Sequence, residues 1–193
     1  MNLMANKSLL ILYLIGYYRF NRQLKENNPV RQSIHKLDRT DLKILEELQQ
    51  NAKISNVELA RRVHLSPTPC LERVKRLEKN SFISGYRTEL NPQKLSANLL
   101  SFVEIKLTRT SKDVFTDFKK AVKQLPQVLE CHLVSGDFDY LLKTRVADMV
   151  AYRELLGETL LTLPGVSSSR SYMVMEEVKE SGLIPIPDYH QLG

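Results

Sequence analysis

Two stretches of the 193-residue chain carry side chains whose type and spacing could do chemistry. The first is Ser66-Pro67-Thr68-Pro69, followed by Arg73, Lys75 and Arg76. Hydroxyls and free N–H groups at a helix start attract anions, and cations one to two turns further on extend that attraction along a phosphate-rich groove. The second is Gly136-Asp137-Phe138-Asp139-Tyr140, which sets two carboxylates beside a tyrosine at a turn. Paired carboxylates can act as general acid and base, but no histidine or metal cluster accompanies these two. Gly-Asp is also ordinary hairpin-turn chemistry. No pair of the four histidines has zinc-ligand spacing, and neither a glycine phosphate loop nor a nucleophile elbow occurs. The expected chemistry is therefore binding, with no catalytic residue and no metal ligand.

The first stretch needs a helix pair to present it. Ile54, Val57, Ala60 and Val63 recur at helical spacing, which predicts a short helix. Ser55 and Glu58 have the spacing of a capping box, and Ala60 is small where a second helix must cross. His64-Leu65-Ser66 is the turn. Ser66 can cap the next helix, Pro67 fits its first position, and Pro69 is tolerated in its first turn. Cys70, Val74 and Leu77, with Leu71 beside them, are expected to pack inward. Thr68, Glu72, Lys75, Arg76 and Lys79 point away, and Arg73 sits on the boundary. An ordinary solvated amphipathic helix is the plain alternative; the tight turn and the preceding helix favour helix-turn-helix. A helix from Asp38 to about Gln50, with Leu42, Leu45 and Leu48 on one face, is expected to brace the pair. Phe82, Ile83 and Tyr86 around Gly85 suggest a short wing, and Asn91-Pro92 a linker.

From Leu99 the period becomes two: Ser101, Val103, Ile105 and Leu107 alternate with Leu100, Phe102, Glu104 and Lys106. A helical run over 112–125, a strand over 128–135, a turn at Gly136-Asp137 and a strand over 140–146 follow. Asp148 can cap a helix stopped by Pro164-Gly165, and a last strand runs from Val166 to Val178. The order βαββαβ predicts a ferredoxin-like sheet with two helices on one face. The fold class is α+β, with a winged helix-turn-helix domain over 37–86, a linker over 87–98, the sheet domain over 99–180, and a loosely ordered tail over 181–193.

Charge agrees with this division. The net +6 is uneven: residues 1–36 hold six basic and one acidic side chain, residues 37–86 nine and seven, and the remainder thirteen and fourteen. The near-neutral C-terminal part suits contact with proteins or small molecules. Cys70 and Cys131, in no CxxC pattern, are expected to be small buried residues in a reducing compartment. The apolar run Leu9–Tyr18 is short of the roughly 20 residues that span a bilayer, and no small-residue cleavage site follows it. The preferred reading of residues 1–36 is a dispensable extension, translated from an upstream start; the alternative is a membrane-surface or partner-binding helix.

LDRTDLKILEELQQNAKIS, NVELARRVHLSPTPCLERVKRLE, FISGYRTELNP and ECHLVSGDFDYLLKTRV together resemble the Lrp/AsnC family of bacterial transcription regulators, and most closely its leucine-responsive members. The resemblance covers about Leu37 to Lys179. It implies a DNA-binding activator and repressor of amino-acid metabolism genes, in the cytoplasm and on the nucleoid. It also implies a homodimer that assembles to an octamer, and leucine or another amino acid as effector. Carried over residue by residue, the effector site comprises Leu133, Asp137, Asp139, Met149, Tyr172, Met173 and Val174. Aliphatic groups suit a leucine side chain, and a carboxylate such as Asp139 suits its ammonium group. Two departures stand out: His64, where the family usually has glycine, and Met173, where a β-branched residue is commoner. The resemblance leaves two other classes less favoured: an enzyme's regulatory subunit that senses amino acids through a similar sheet, and a membrane-tethered regulator resting on Leu9–Tyr18.

A chain begun near Ser33 is expected to fold, assemble and bind DNA like the full chain. Loss of folding or assembly on that truncation would show that Leu9–Tyr18 packs against the body.

Overall fold

The computed structural model describes residues 37–108 and 112–186. The apolar run Leu9–Tyr18 lies outside the described residues, as does the end of the tail. The described chain forms two units, one holding residues up to Tyr86 together with those from Leu183 onward, the other Arg87–Gly182. No described helix is long and apolar enough to cross a membrane.

The first unit is three helices: α1 (Arg39–Gln50), α2 (Asn56–Arg62) and α3 (Pro67–Lys79). Asp38 caps α1 in a reciprocal box with Asp41: Asp41 N–H donates to Asp38 Oδ1 at 2.8 Å, and Asp38 N–H to Asp41 Oδ2 at 3.1 Å. In α2 only half of the expected box forms. Ser55 Oγ accepts from Glu58 N–H at 3.2 Å, while the Glu58 carboxylate turns to Arg61 and Arg62. The core is Ile44, Leu59, Ala60, Val63, Cys70 and Leu77. Val57, expected on the inner face, is 68% exposed, and Leu59 takes its place. A seven-residue helix has room for one inner stripe, and the fully buried Ile44 and Cys70 set its direction. Leu71 is likewise turned outward.

His64 adopts φ 56°, the left-handed conformation its turn demands. Glycine would enter it without the cost of roughly 1 kcal/mol that a Cβ brings. The turn closes through Leu65 N–H to Ala60 O at 2.8 Å. After α3 the wing is an extended segment without a strand ladder. It is held by Ile83 against the core and by the Tyr86 hydroxyl, which donates to Glu78 Oε1 at 2.8 Å.

The second unit runs β1 (Leu99–Leu107), α4 (Lys112–Val122), β2 (Val128–Leu133), β3 (Tyr140–Val146), α5 (Met149–Glu154) and β4 (Val166–Met173). α5 continues as one wider and one tighter turn through Thr162. All neighbouring strands are antiparallel, in the order β2-β3-β1-β4, which is the ferredoxin-like arrangement expected of βαββαβ. Val103, Ile105 and Leu107 of β1 and Tyr140, Leu142 and Val146 of β3 meet Phe118 and Val122 of α4 and Tyr152 and Leu155 of α5. The odd-numbered set of β1 thus faces the helices, as the alternation implied. Ser101 and Thr144, buried on that face, satisfy each other at 2.6 Å. The other face carries Phe102, Glu104, Lys143, Arg145, Arg170 and Tyr172, with no helix over it.

β4 ends at Met173, short of the expected Val178. The chain beyond it is anchored by charge instead of by a ladder: Glu177 pairs with Arg145 at 2.7 Å and Glu180 with Lys143 at 3.3 Å. In the first unit, the tail residue Ile184 exchanges two hydrogen bonds with the Gln49 amide, at 2.7 and 2.9 Å.

Gly165 stops the second helix at φ 77°, and a Cβ there would lie 2.3 Å from Val114 Cγ1. Gly165→Ala therefore combines a left-handed strain with a clash against α4. It is expected to cost about 2–3 kcal/mol in denaturant unfolding, whereas Gly157→Ala, with nothing within 4 Å of its Cβ, should cost almost nothing.

Candidate functional site

The reader helix α3 begins at Ser66, but the Ser66 hydroxyl makes no cap bond. The physical reason lies in the sequence: an N-cap hydroxyl takes the N–H of the second or third helical residue, and the third is Pro69, which has none. The Thr68 N–H is the one free donor that the two prolines leave within the first three positions. Asn56 instead fixes the start of α3 by donating from Nδ2 to Pro67 O at 2.8 Å.

The cations of this unit divide by type. Arg73 Nη1 donates to Asp38 Oδ2 at 2.5 Å and to Asp41 Oδ1 at 2.9 Å, and Arg76 Nη2 donates to both Asp41 oxygens at 2.6 and 2.7 Å. The Asp41 side chain is 2% exposed. Burial acts to raise the Asp38 carboxyl, but the hydrogen bonds from Arg73 and from the Asp41 and Thr40 N–H groups outweigh it and hold it below 3.8. On α2, Arg61 and Arg62 hold Glu58 down to about 2, and Arg62 also reaches Glu47 at 2.8 Å. Lys75 and Lys79 are exposed and form no ion pair among the described residues.

Ser66, Thr68 and Lys75 are thus exposed and Pro69 half-buried, while Arg73 and Arg76 lean onto α1. Sequence reasoning placed Arg76 on the outward face and Arg73 on its boundary. The structure gives them a second role as the clamp between α1 and α3. The signal was present as Asp38 and Asp41, but only the folded arrangement brings residues 32–35 positions apart into contact.

The seven effector candidates fall into two groups in one chain. Leu133, Asp137 and Asp139 lie where β2 ends and β3 begins. Asp139 is built into the sheet: its N–H donates to Ile105 O at 2.9 Å, and its Oδ2 accepts from Leu107 N–H at 2.7 Å. Oδ1 stays open. Met149 lies beyond Val146 at the opposite end of β3, whereas Tyr172, Met173 and Val174 pair beside Phe102, Ser101 and Leu100 of β1. The seven residues of β3 put Met149 about 20 Å from Asp139 along the strand, while Tyr172 is level with Lys143 at mid-strand, about 13 Å along and two strands across. Leu133, Met149 and Tyr172 are exposed, Met173 packs on the core, and the Tyr172 hydroxyl donates to Glu104 at 2.9 Å. One small ligand cannot span both groups of a single chain.

Burial pushes the thiols of Cys70 and Cys131 above their usual range. No described group of three or more His, Cys, Asp or Glu could hold a metal.

Residues 37–84 match the family described as winged helix-turn-helix DNA-binding, and residues 100–184 the Lrp/AsnC ligand binding domain. The chain is 65% identical over 150 residues to the leucine-responsive regulatory protein of Klebsiella pneumoniae and to that of Escherichia coli K12, covering 78% of this chain and 92% of each. Among solved structures, a transcriptional regulator of Neisseria meningitidis in an L-Met complex is similar with TM-score 0.74 and 40% identity, covering 77% of this chain and 96% of that one. An AsnC family transcriptional regulator of Agrobacterium tumefaciens also reaches 0.74, with 32% identity, over 77% of this chain and 97% of that one.

Asp41→Ala leaves two arginines facing a partner that is gone and is expected to cost about 3 kcal/mol in unfolding, against under ~1 kcal/mol for Lys75→Ala. The lowered Asp38 carboxyl adds stability that is full above pH 3.8 and is lost as pH falls through its folded value. Asp38→Asn should accordingly flatten the acid limb of stability against pH.

Proposed function

The chain belongs to the Lrp/AsnC family of transcription regulators, and from that membership we propose how it reads DNA and senses its effector. It is a DNA-binding transcription regulator with an amino-acid-binding domain, and its relatives are regulators, not enzymes. We infer that Ser66, Thr68, Pro69 and Lys75 meet the duplex directly, with Lys75 as a phosphate contact. Arg73 and Arg76 hold α3 in the orientation that makes this possible, and the outer nitrogens of Arg76 remain open to a phosphate.

Leucine is the proposed effector. The relatives at 65% identity carry leucine response in their names. The carrying observation is the separation of Asp139 from Met149, about 20 Å along β3: a complete site would draw Asp137, Asp139 and Leu133 from one subunit and Met149, with Tyr172, Met173 or Val174, from another. Effector binding and assembly are then one equilibrium, and leucine changes assembly only through unequal affinity for the alternative assemblies. The sheet face that no described helix covers, crossed in part by the chain after β4 and carrying Phe102 and Tyr172 among charged groups, supports a two-fold dimer, and dimers carry two reader heads. Association of dimers to an octamer rests on family resemblance. A dimer implies half-sites about one helical turn or a multiple apart. Such a regulator of amino-acid metabolism genes, acting as activator and repressor, would work in the cytoplasm on the nucleoid. A second reading, methionine as effector, is favoured by the L-Met complex of the Neisseria relative and by the flexible Met173.

Sedimentation with and without leucine tests the coupling. Leucine should redistribute the oligomers of the parent. Asp139→Asn keeps an acceptor for Leu107 N–H but removes the charge, so it should need about tenfold more leucine for the same redistribution while binding DNA normally. An Asp139→Asn protein that responds like the parent removes Asp139 from sensing; redistribution by methionine alone favours the second reading.

A further inference from the structure

We propose that Leu71 reads the 5-methyl group of a thymine in the major groove, and that α3 distinguishes bases through Leu71, Thr68, Glu72 and Lys75 instead of through its arginines. The proposal rests on the DNA-binding reading and adds residue roles to it. Helical spacing puts Thr68, Leu71, Glu72, Lys75 and Lys79 on one face, opposite the buried Cys70 and Leu77. All five are exposed. Leu71, 42% exposed, sits at the edge of that face nearest the core stripe, with Thr68 one turn before it and Lys75 one turn after.

A single exposed leucine is ordinary on a protein surface. Two observations set this one apart. The first is the pairing of Arg73 Nη1 and Arg76 Nη2 with Asp38 and Asp41, at 2.5–2.9 Å, which ties one nitrogen of each guanidinium to α1 and leaves the fork that most often reads guanine less free to turn to a base. The second is what remains on the face. Glu72 can accept from cytosine N4, Lys75 can donate to guanine O6 or N7, and Thr68 offers a hydroxyl and a methyl. Leu71 has no polar group, so a thymine methyl is the one base-edge feature it can recognise. Phosphate attraction passes to the unpaired Lys75 and Lys79, which carry no sequence information through that contact.

The test uses the full chain and a duplex that the chain itself enriches from a randomised pool. Each thymine in turn is replaced by deoxyuridine, which removes only the methyl. At one or more thymines per half-site the parent should bind about fourfold more weakly. Leu71→Ala should bind the unmodified duplex more weakly and show no further loss with deoxyuridine at those positions. Leu71→Gln, of similar length and helix preference, should behave as Leu71→Ala does, and it replaces that variant if Leu71→Ala melts early. Arg76→Ala should weaken all duplexes alike and leave the selected sequence unchanged. Equal deoxyuridine penalties in parent and both Leu71 variants overturn the role of Leu71. A base preference that relaxes in Arg76→Ala overturns the assignment of base reading away from the arginines. A parent that enriches a sequence but is indifferent to deoxyuridine overturns the thymine contact alone. A parent that enriches none overturns the sequence-specific reading with it.

Discussion

The reader unit depends on one buried carboxylate. Asp41 closes the capping box of α1 through its accepted backbone bond and binds Arg73 and Arg76 of α3 through the same two oxygens. A carboxylate at 2% exposure is tolerable only because each oxygen is met by a charged or backbone donor. It also lies in the first turn of α1, where the helix dipole favours negative charge. The two helices meet through few apolar groups, Ile44 against Cys70 and Leu77 among them, so a directed polar contact fixes the angle that a small core leaves loose. Fixing that angle matters for a protein that must lay one helix in a groove.

The same contact explains why lysines and arginines behave differently here. Arginine's planar fork suits two-point contacts with carboxylates, and all four arginines of α2 and α3 are so engaged. Lysine is a compact, well-hydrated charge, and Lys75 and Lys79 are left to solvent. A basic helix is thus only partly a cationic surface; about half of its charge is internal cross-bracing.

The sheet unit shows a comparable economy. Asp139 serves the ladder by accepting from Leu107 N–H, and its other carboxylate oxygen has no partner among the described residues. Met149 is placed by α5 at the other end of that same sheet, and Tyr172 by β4 beside Phe102 at the middle of β1.

Sequence alone determined the element order, the βαββαβ pattern and the turn between α2 and α3. Local rules govern these: period two against period 3.6, prolines at 67 and 69, Asp148 as a cap, Gly165 as a stop. It also pointed to His64 as the strained turn residue. Tertiary structure decided two things those rules cannot reach. Val57 and Leu71 faced outward because each short helix can bury one stripe, and partners far along the chain choose which. Arg73 and Arg76 paired with α1 because two carboxylates more than thirty residues earlier come within 3 Å of them on folding. Spacing along a chain reports the face on which a charge starts, whereas only packing decides which opposite charge it meets first.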